Sequence, residues 1–251
     1  LATVIVQILG SIFLMRRASK THLWKDPDYR SLVPKMGTFR EIAVQGVPAS
    51  INMMTVAAGI FVITWFVSQF SKEGVAAYGI ATRVEQIILM PTIGLNIAVL
   101  TLVGQNNGAQ RFDRVKDSWY LAMKYGLIMM AVGGVILYFA CGPMMRFFTS
   151  DETVIRIGVE YLRIASIMLC SYVILYQTVY MMQGLKRPMF AIWIGLYRQI
   201  LAPFVVFYLL AVALDWKLDG IWWGVFLIPW SAAIFTYFVG GRVFKRECAK
   251  S

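Results

Sequence analysis

Long apolar runs alternate with short polar stretches along the whole chain. Seven apolar segments can be drawn, at 1–15, 42–67, 75–103, 119–140, 161–183, 189–214 and 219–240. The last six each reach the roughly 20 residues that a helix needs to cross the hydrocarbon of a bilayer. The first, "LATVIVQILGSIFLM", is shorter and has neither an initiator Met nor a basic leader. It reads as the end of a truncated transmembrane helix in a longer protein. Polar connectors fall at 16–41, 68–74, 104–118, 141–160, 184–188 and 215–218. The pattern predicts an all-α membrane protein in four parts. These are a helix end (1–15), a loop (16–41), a six-helix lobe (42–240) and a tail (241–251). Within the connector at 141–160, Asp151, Glu152 and Thr153 suit a helix start, with acids at the positive end of the helix dipole. The segment Ser150 to Arg163 reads as an amphipathic entry with solvated first turns.

Composition agrees. Hydrophobic residues make up 59% and charged residues 15%, against about 45–50% and about 25% in soluble domains, and mean hydropathy is +0.66. A soluble chain of 251 residues could not bury so many apolar helices on all sides. The net charge of +11 would suggest nucleic acid in a soluble protein, but the basic residues sort by side instead. Sixteen of the 24 fall in alternate connectors: the loop 16–41, Arg111 to Lys116, Lys186 and Arg187, and the tail. Five lie on the opposite side and three (Arg83, Lys124 and Arg198) inside the spans. The excess places the loop 16–41 and the C-terminus in the cytoplasm, and no nucleic-acid partner is expected. Three cysteines without paired spacing and a single histidine, His22, exclude a His-rich metal site and a Ser-His-Asp triad. No catalytic residue, metal or cofactor is expected, and the chain is not read as an enzyme.

The spans carry helix breakers. Pro48 lies in the second, Pro91 and Gly94 in the third, Pro203 in the sixth and Pro229 in the last. A proline removes a backbone donor and tends to bend its helix, and in lipid the freed carbonyl must find a partner or a watered cavity. Pro48, Pro91, Gly94 and Pro203 are the candidate bends of a mobile, cavity-containing bundle. Arg83, Glu85 and Arg198 are charged at depth, which costs about 2.5–3.5 kcal/mol each on insertion scales. Each needs a partner from another helix, because positions two apart do not face each other. They are either interhelical ion pairs or charges lining a cavity. Asn52, Tyr172 and Gln177 either hydrogen-bond between helices or line a chamber.

One stretch carries a resemblance. "YGIATRVEQIILMPTIGLNIAVLTLVGQNNGAQR", Tyr78 to Arg111, resembles the signature of the C-terminal half of MATE (multidrug and toxic compound extrusion) transporters. The matching elements are Arg83–Glu85, Met90–Leu95 and Val103–Ala109. "GVPAS", "VEYLRI" and "YRQILAP" match in order. The resemblance implies helices seven to twelve of a twelve-helix fold plus the end of helix six, with the first six-helix lobe as a missing partner. It further implies export of cationic amphipathic small molecules from a bacterial inner membrane by alternating access. Inward proton flow drives it, with sodium as the alternative. The second span has no acid, which is closer to the DinF-like branch than to the NorM-like one, and would place the principal coupling carboxylate outside this chain. Within it, Glu85 is the candidate coupling group. Arg83 and Arg198 are candidate helix ties, and Asn52, Gln177 and Tyr172 candidate cavity walls. A flippase for a lipid-linked saccharide and a non-transporting scaffold remain as alternatives. "PTIGLNIAVLTLVGQNNGAQR" then reads as a helix bent near mid-membrane, ending in an amide- and glycine-capped exit turn.

Overall fold

The computed structural model describes residues 2–20 and 36–248; within that range the side chains of Pro48, Asn52 and a few others lie outside the described set. Two compact units divide between Gly46 and Val47. The first unit contains α1 (Ala2–Ala18), an exposed apolar helix with Arg16 and Arg17 in its last turn, and the beginning of α2 (Met36–Ser68). The second holds the rest of α2 and five further helices. They are α3 (Lys72–Gly108), α4 (Phe112–Phe148), α5 (Glu152–Gly184), α6 (Met189–Ala213) and α7 (Lys217–Cys248). All seven predicted segments are helices, and the described residues contain no strand. Five of these helices, α3 to α7, are long and apolar enough to cross a membrane. Among the described residues of α2, Met53–Ser68 forms a shorter apolar stretch.

The connectors are shorter than the sequence predicts. Residues 69–71, 109–111, 149–151, 185–188 and 214–216 separate successive helices, so neighbours run antiparallel. Local chemistry sets the ends. Ser71 Oγ accepts from Gly74 N at 2.9 Å and starts α3. Asp151 Oδ1 accepts from Thr153 N at 2.8 Å and Val154 N at 3.2 Å, so it caps α5 as the sequence suggests. The turns after it are not solvated all round: Val154, Ile155, Ile157 and Tyr161 are buried.

The "GQNNG" block lies in the last turn of α3 rather than beyond it, because Asn106 Nδ2 donates back to Leu102 O at 2.8 Å. The exit residue is Gln110, at φ 57, and no glycine takes positive φ. Arg111 N then closes on Asn106 O at 2.8 Å, a Schellman-type ending. α5 ends the same way, with Lys186 at φ 61 and Arg187 N on Met182 O at 3.0 Å.

α5 is the central column. Of its most apolar window 61% is buried, against 22% in α3 and in α4, and it packs against α3, α4, α6 and α7. Close approach needs a small residue at Gly134 of α4, where an added Cβ would stand 2.5 Å from the Ser166 carbonyl oxygen; such residues let membrane helices meet. α6 is not a uniform α-helix. It widens to π turns at Tyr197–Leu201 and Tyr208–Ala213. The first precedes Pro203, with Ala202 N donating to Tyr197 O. Pro203 has no N–H to offer Gln199 O, and the wide turn absorbs that defect. The bend expected at Pro91 and Gly94 has no such signature. α3 is continuous through both, because one missing donor leaves the rest of a long ladder intact.

Candidate functional site

Glu85 is the acid that α3 turns inward, and it is 5% exposed. From α5, Tyr161 Oη donates to Glu85 Oε2 at 2.8 Å. Tyr172 of the same helix lies close enough to the carboxylate to interact with it electrostatically. Tyr78 of α3 and Trp222 of α7 wall the site, with ring centroids 5.5 and 5.0 Å from that of Tyr161. The carboxylate therefore sits in an aromatic box with the Tyr161 hydroxyl as its donor.

Arg198 enters from the first π turn of α6 and is 9% exposed. Its Nη2 donates to Tyr176 Oη at 3.0 Å. The guanidinium carbon lies 5.7 Å from the Tyr172 ring centroid and 5.5 Å from that of Tyr176. Those two rings stack at 5.8 Å. Cation–π contact of this kind reaches about 2 kcal/mol when desolvated. Glu85 and Arg198 form no direct ion pair; Tyr172 neighbours both, its ring under the guanidinium.

Two small clefts flank Arg198. One, of about 40 Å³, lies beside Tyr172 and Gln199, and the other, of about 50 Å³, beside Tyr176, Tyr180 and Gln183. Each is large enough for water, which needs roughly 10–15 Å³. Tyr172, Tyr176, Tyr180 and Gln183 share one face of α5 at helical spacing, so a ladder of polar groups runs along that helix from Glu85. A larger cleft of about 510 Å³ opens between α2 and α6, with Trp65, Phe66, Phe70, Phe204 and Tyr208 on its walls.

Residues 48–209 match the profile of the family described as MatE. The chain belongs to the MatE family. Its members are transporters, not enzymes, and with its apolar helices the chain is an integral membrane protein. "Probable multidrug resistance protein YoeA" of Bacillus subtilis is 30% identical over 119 residues, which is 47% of this chain and 26% of that protein. "Probable multidrug resistance protein NorM" of Bacillus thuringiensis is 23% identical over 194 residues, 77% of this chain and 43% of that protein. The chain thus spans less than half the length of these relatives. An outward-facing multidrug resistance MATE transporter superposes with a TM-score of 0.90 at 18% identity, covering all of this chain and 56% of that one. That likeness establishes the fold.

The MatE signature in α3 supplies Glu85 to the site but not Arg83. Arg83 is exposed and has no ion pair among the described residues. Two residues of helix turn it about 200° away from Glu85. Gln177 is fully buried and ties α5 to α3 by donating Nε2 to Asn96 Oδ1 at 2.8 Å. It is therefore an interhelical contact rather than an open wall. Tyr172 and Arg198 sit in the network, and Pro203 lies beside Arg198 in the same small cleft. Gly94 faces open space. Asn52 and Pro48 fall among the side chains outside the described set. Reading the sequence passed over Tyr161, Tyr176 and Tyr78. The recurrence of tyrosine every fourth residue from 172 to 180 was the available signal for Tyr176.

Proposed function

We propose that this chain is one six-helix lobe of a secondary active exporter of amphipathic cationic compounds, working by alternating access and driven by inward proton flow, with sodium as the alternative ion. The bacterial inner membrane is its site, the loop 16–41 and the C-terminus are cytoplasmic, and a second six-helix lobe completes the cavity. Both named relatives are described as "Probable multidrug resistance protein", and the absence of an acid from the span 42–67 favours the DinF-like branch.

The observation that carries the reading is Glu85. An ionisable group held inside the bundle by Tyr161, one aromatic ring from Arg198, is costly to keep in lipid and marks a functional site. Charged, it accepts from the Tyr161 hydroxyl and attracts Arg198. Protonated, it becomes a donor and releases that attraction, freeing α6 at the turn where its backbone is already widened. The groups facing it are Tyr78 on α3, Tyr161 and Tyr172 on α5 and Arg198 on α6. The aromatic cleft of about 510 Å³ suits an amphipathic cation, since rings bind apolar bodies and positive charge alike.

A flippase for lipid-linked pyrophosphates would need free cations at depth. Here Arg198 is engaged by Tyr176 and Arg83 points elsewhere, which favours the exporter. The test is Glu85→Gln in vesicles holding both lobes, with efflux of a fluorescent cation measured across pH. Flattened pH dependence at normal expression is the expected result. An unchanged profile removes Glu85 from coupling.

A further inference from the structure

The two water-sized clefts beside Arg198 follow one another along the bundle. The first, of about 40 Å³, takes Ile63 from α2, Tyr172 from α5 and Gln199, Pro203 and Phe207 from α6. The second, of about 50 Å³, takes Val56 from α2, Tyr176, Tyr180 and Gln183 from α5 and Ala191 from α6. All three helices step in the same sense from the first to the second, toward the end of α5 at Gln183. On α2 the step from Ile63 to Val56 is two turns, about 10 Å of helix. Arg198 is the one residue that lines both clefts.

Each cleft has polar groups that suit water. In the first, Gln199 stands near Val225 and Pro229 of α7. Pro229 has no N–H for the Val225 carbonyl, and in lipid such a carbonyl finds a partner or lines a watered cavity. In the second, Tyr176, Tyr180 and Gln183 present three polar side chains. Between the clefts the bundle is tight. Gly59 of α2 lies between Val56 and Ile63, and an added Cβ there would strike the Gln199 side chain. On the α5 side the Tyr172 and Tyr176 rings stack at 5.8 Å, and the guanidinium lies over both. A guanidinium stays charged at any physiological pH. Among the described residues no carboxylate forms an ion pair with this one.

Resting on the proton-driven reading of this lobe, we propose that Arg198 is its proton barrier. The fixed positive charge at the constriction keeps protons in the first cleft from passing by water to the side of Gln183. A cation raises the energy of a hydrated proton beside it, as arginines and helix-dipole ends do in pores that pass water but not protons. Glu85, Tyr161 and Tyr172 lie on one side of the charge, and Tyr176, Tyr180 and Gln183 on the other. The polar ladder along α5 is therefore interrupted at Arg198. Because the first π turn of α6 carries Arg198, movement of that turn lifts the barrier, and protons cross only with a change of conformation.

The experiment uses vesicles holding both lobes, given a pH gradient without any drug and an entrapped pH-sensitive dye. Arg198→Gln keeps a donor for Tyr176 and loses the charge, and speeds decay of the gradient at least about tenfold. Arg198→Lys keeps the charge and leaves the decay near that of the unaltered protein. Potassium flux is unchanged in both. Arg198→Met replaces Arg198→Gln if the latter does not fold, as judged by thermal unfolding in detergent. Unchanged decay in a folded uncharged variant, equally fast decay in Arg198→Lys, or a parallel rise in potassium flux would each overturn the barrier. Adding Glu85→Gln to the leaking variant separates the two readings. A leak that disappears joins the barrier to the coupling acid. A leak that remains sustains the barrier and counts against Glu85 as the coupling group.

Discussion

Tyr172 shows how a single side chain couples two charges that never touch. It neighbours Glu85, and its ring face meets Arg198. Tyr161 has the simpler task of donating to the same carboxylate. Tyr161→Phe keeps the ring against Trp222 and removes only the donor, and should destabilise the lobe by about 1–3 kcal/mol, the usual loss when a buried group goes unsatisfied. Thermal unfolding in detergent reads this out, and an unshifted midpoint would mean the contact is not formed. The Asn96–Gln177 bond is a second measurable pair. A double-mutant cycle with Asn96→Ala and Gln177→Ala should give a coupling of about 0.6 kcal/mol, at most about 1.7, as found for such bonds in membranes. Additive effects would contradict the pairing. The sequence singled out Glu85, Tyr172, Gln177 and Arg198 as polar groups in apolar helices. Which of them met, and that Arg83 met none, depended on the rotation of each helix about its own axis.

At the scale of elements, α4 carries a pair of glycines with opposite demands. Gly134 faces the Ser166 carbonyl at a distance that admits no Cβ, while Gly142 faces open space. Gly134→Ala should therefore force α4 from α5 and cost about 1–3 kcal/mol through overpacking. Gly142→Ala should be neutral or stabilising by up to about 1 kcal/mol, since alanine is the better helix former. Equal effects of the two changes on the unfolding midpoint would remove the close approach from the account. Element identity was legible because each apolar run is long. Element ends were not, because polar residues continued α3: Asn106 Nδ2 donates to Leu102 O, and Gln105 O accepts from Ala109 N. Pro203 was legible as a defect. Its consequence, a widened turn that delivers Arg198 to the tyrosines, was visible only with α5 beside it.

For the whole molecule, the alternation of basic residues makes a side-specific prediction. In a background lacking Cys141, Cys170 and Cys248, a cysteine replacing exposed Arg156 should react with a membrane-impermeant maleimide in intact cells. One replacing Arg114 should react only after the membrane is opened. Labelling of both from one side would overturn the assigned orientation.

The sequence by itself determined that the chain is a helical membrane protein and, through the α3 signature, which family it belongs to. The first follows from composition and run length and the second from a local motif, none of which depends on a partner. Tertiary structure alone decided that α5 is the central column, that Glu85 and Arg198 share Tyr172, and that Arg83 stands outside. In lipid, a residue facing a neighbouring helix and one facing acyl chains can be equally apolar, so hydropathy cannot tell the two faces apart. Packing and hydrogen bonding between helices make that choice.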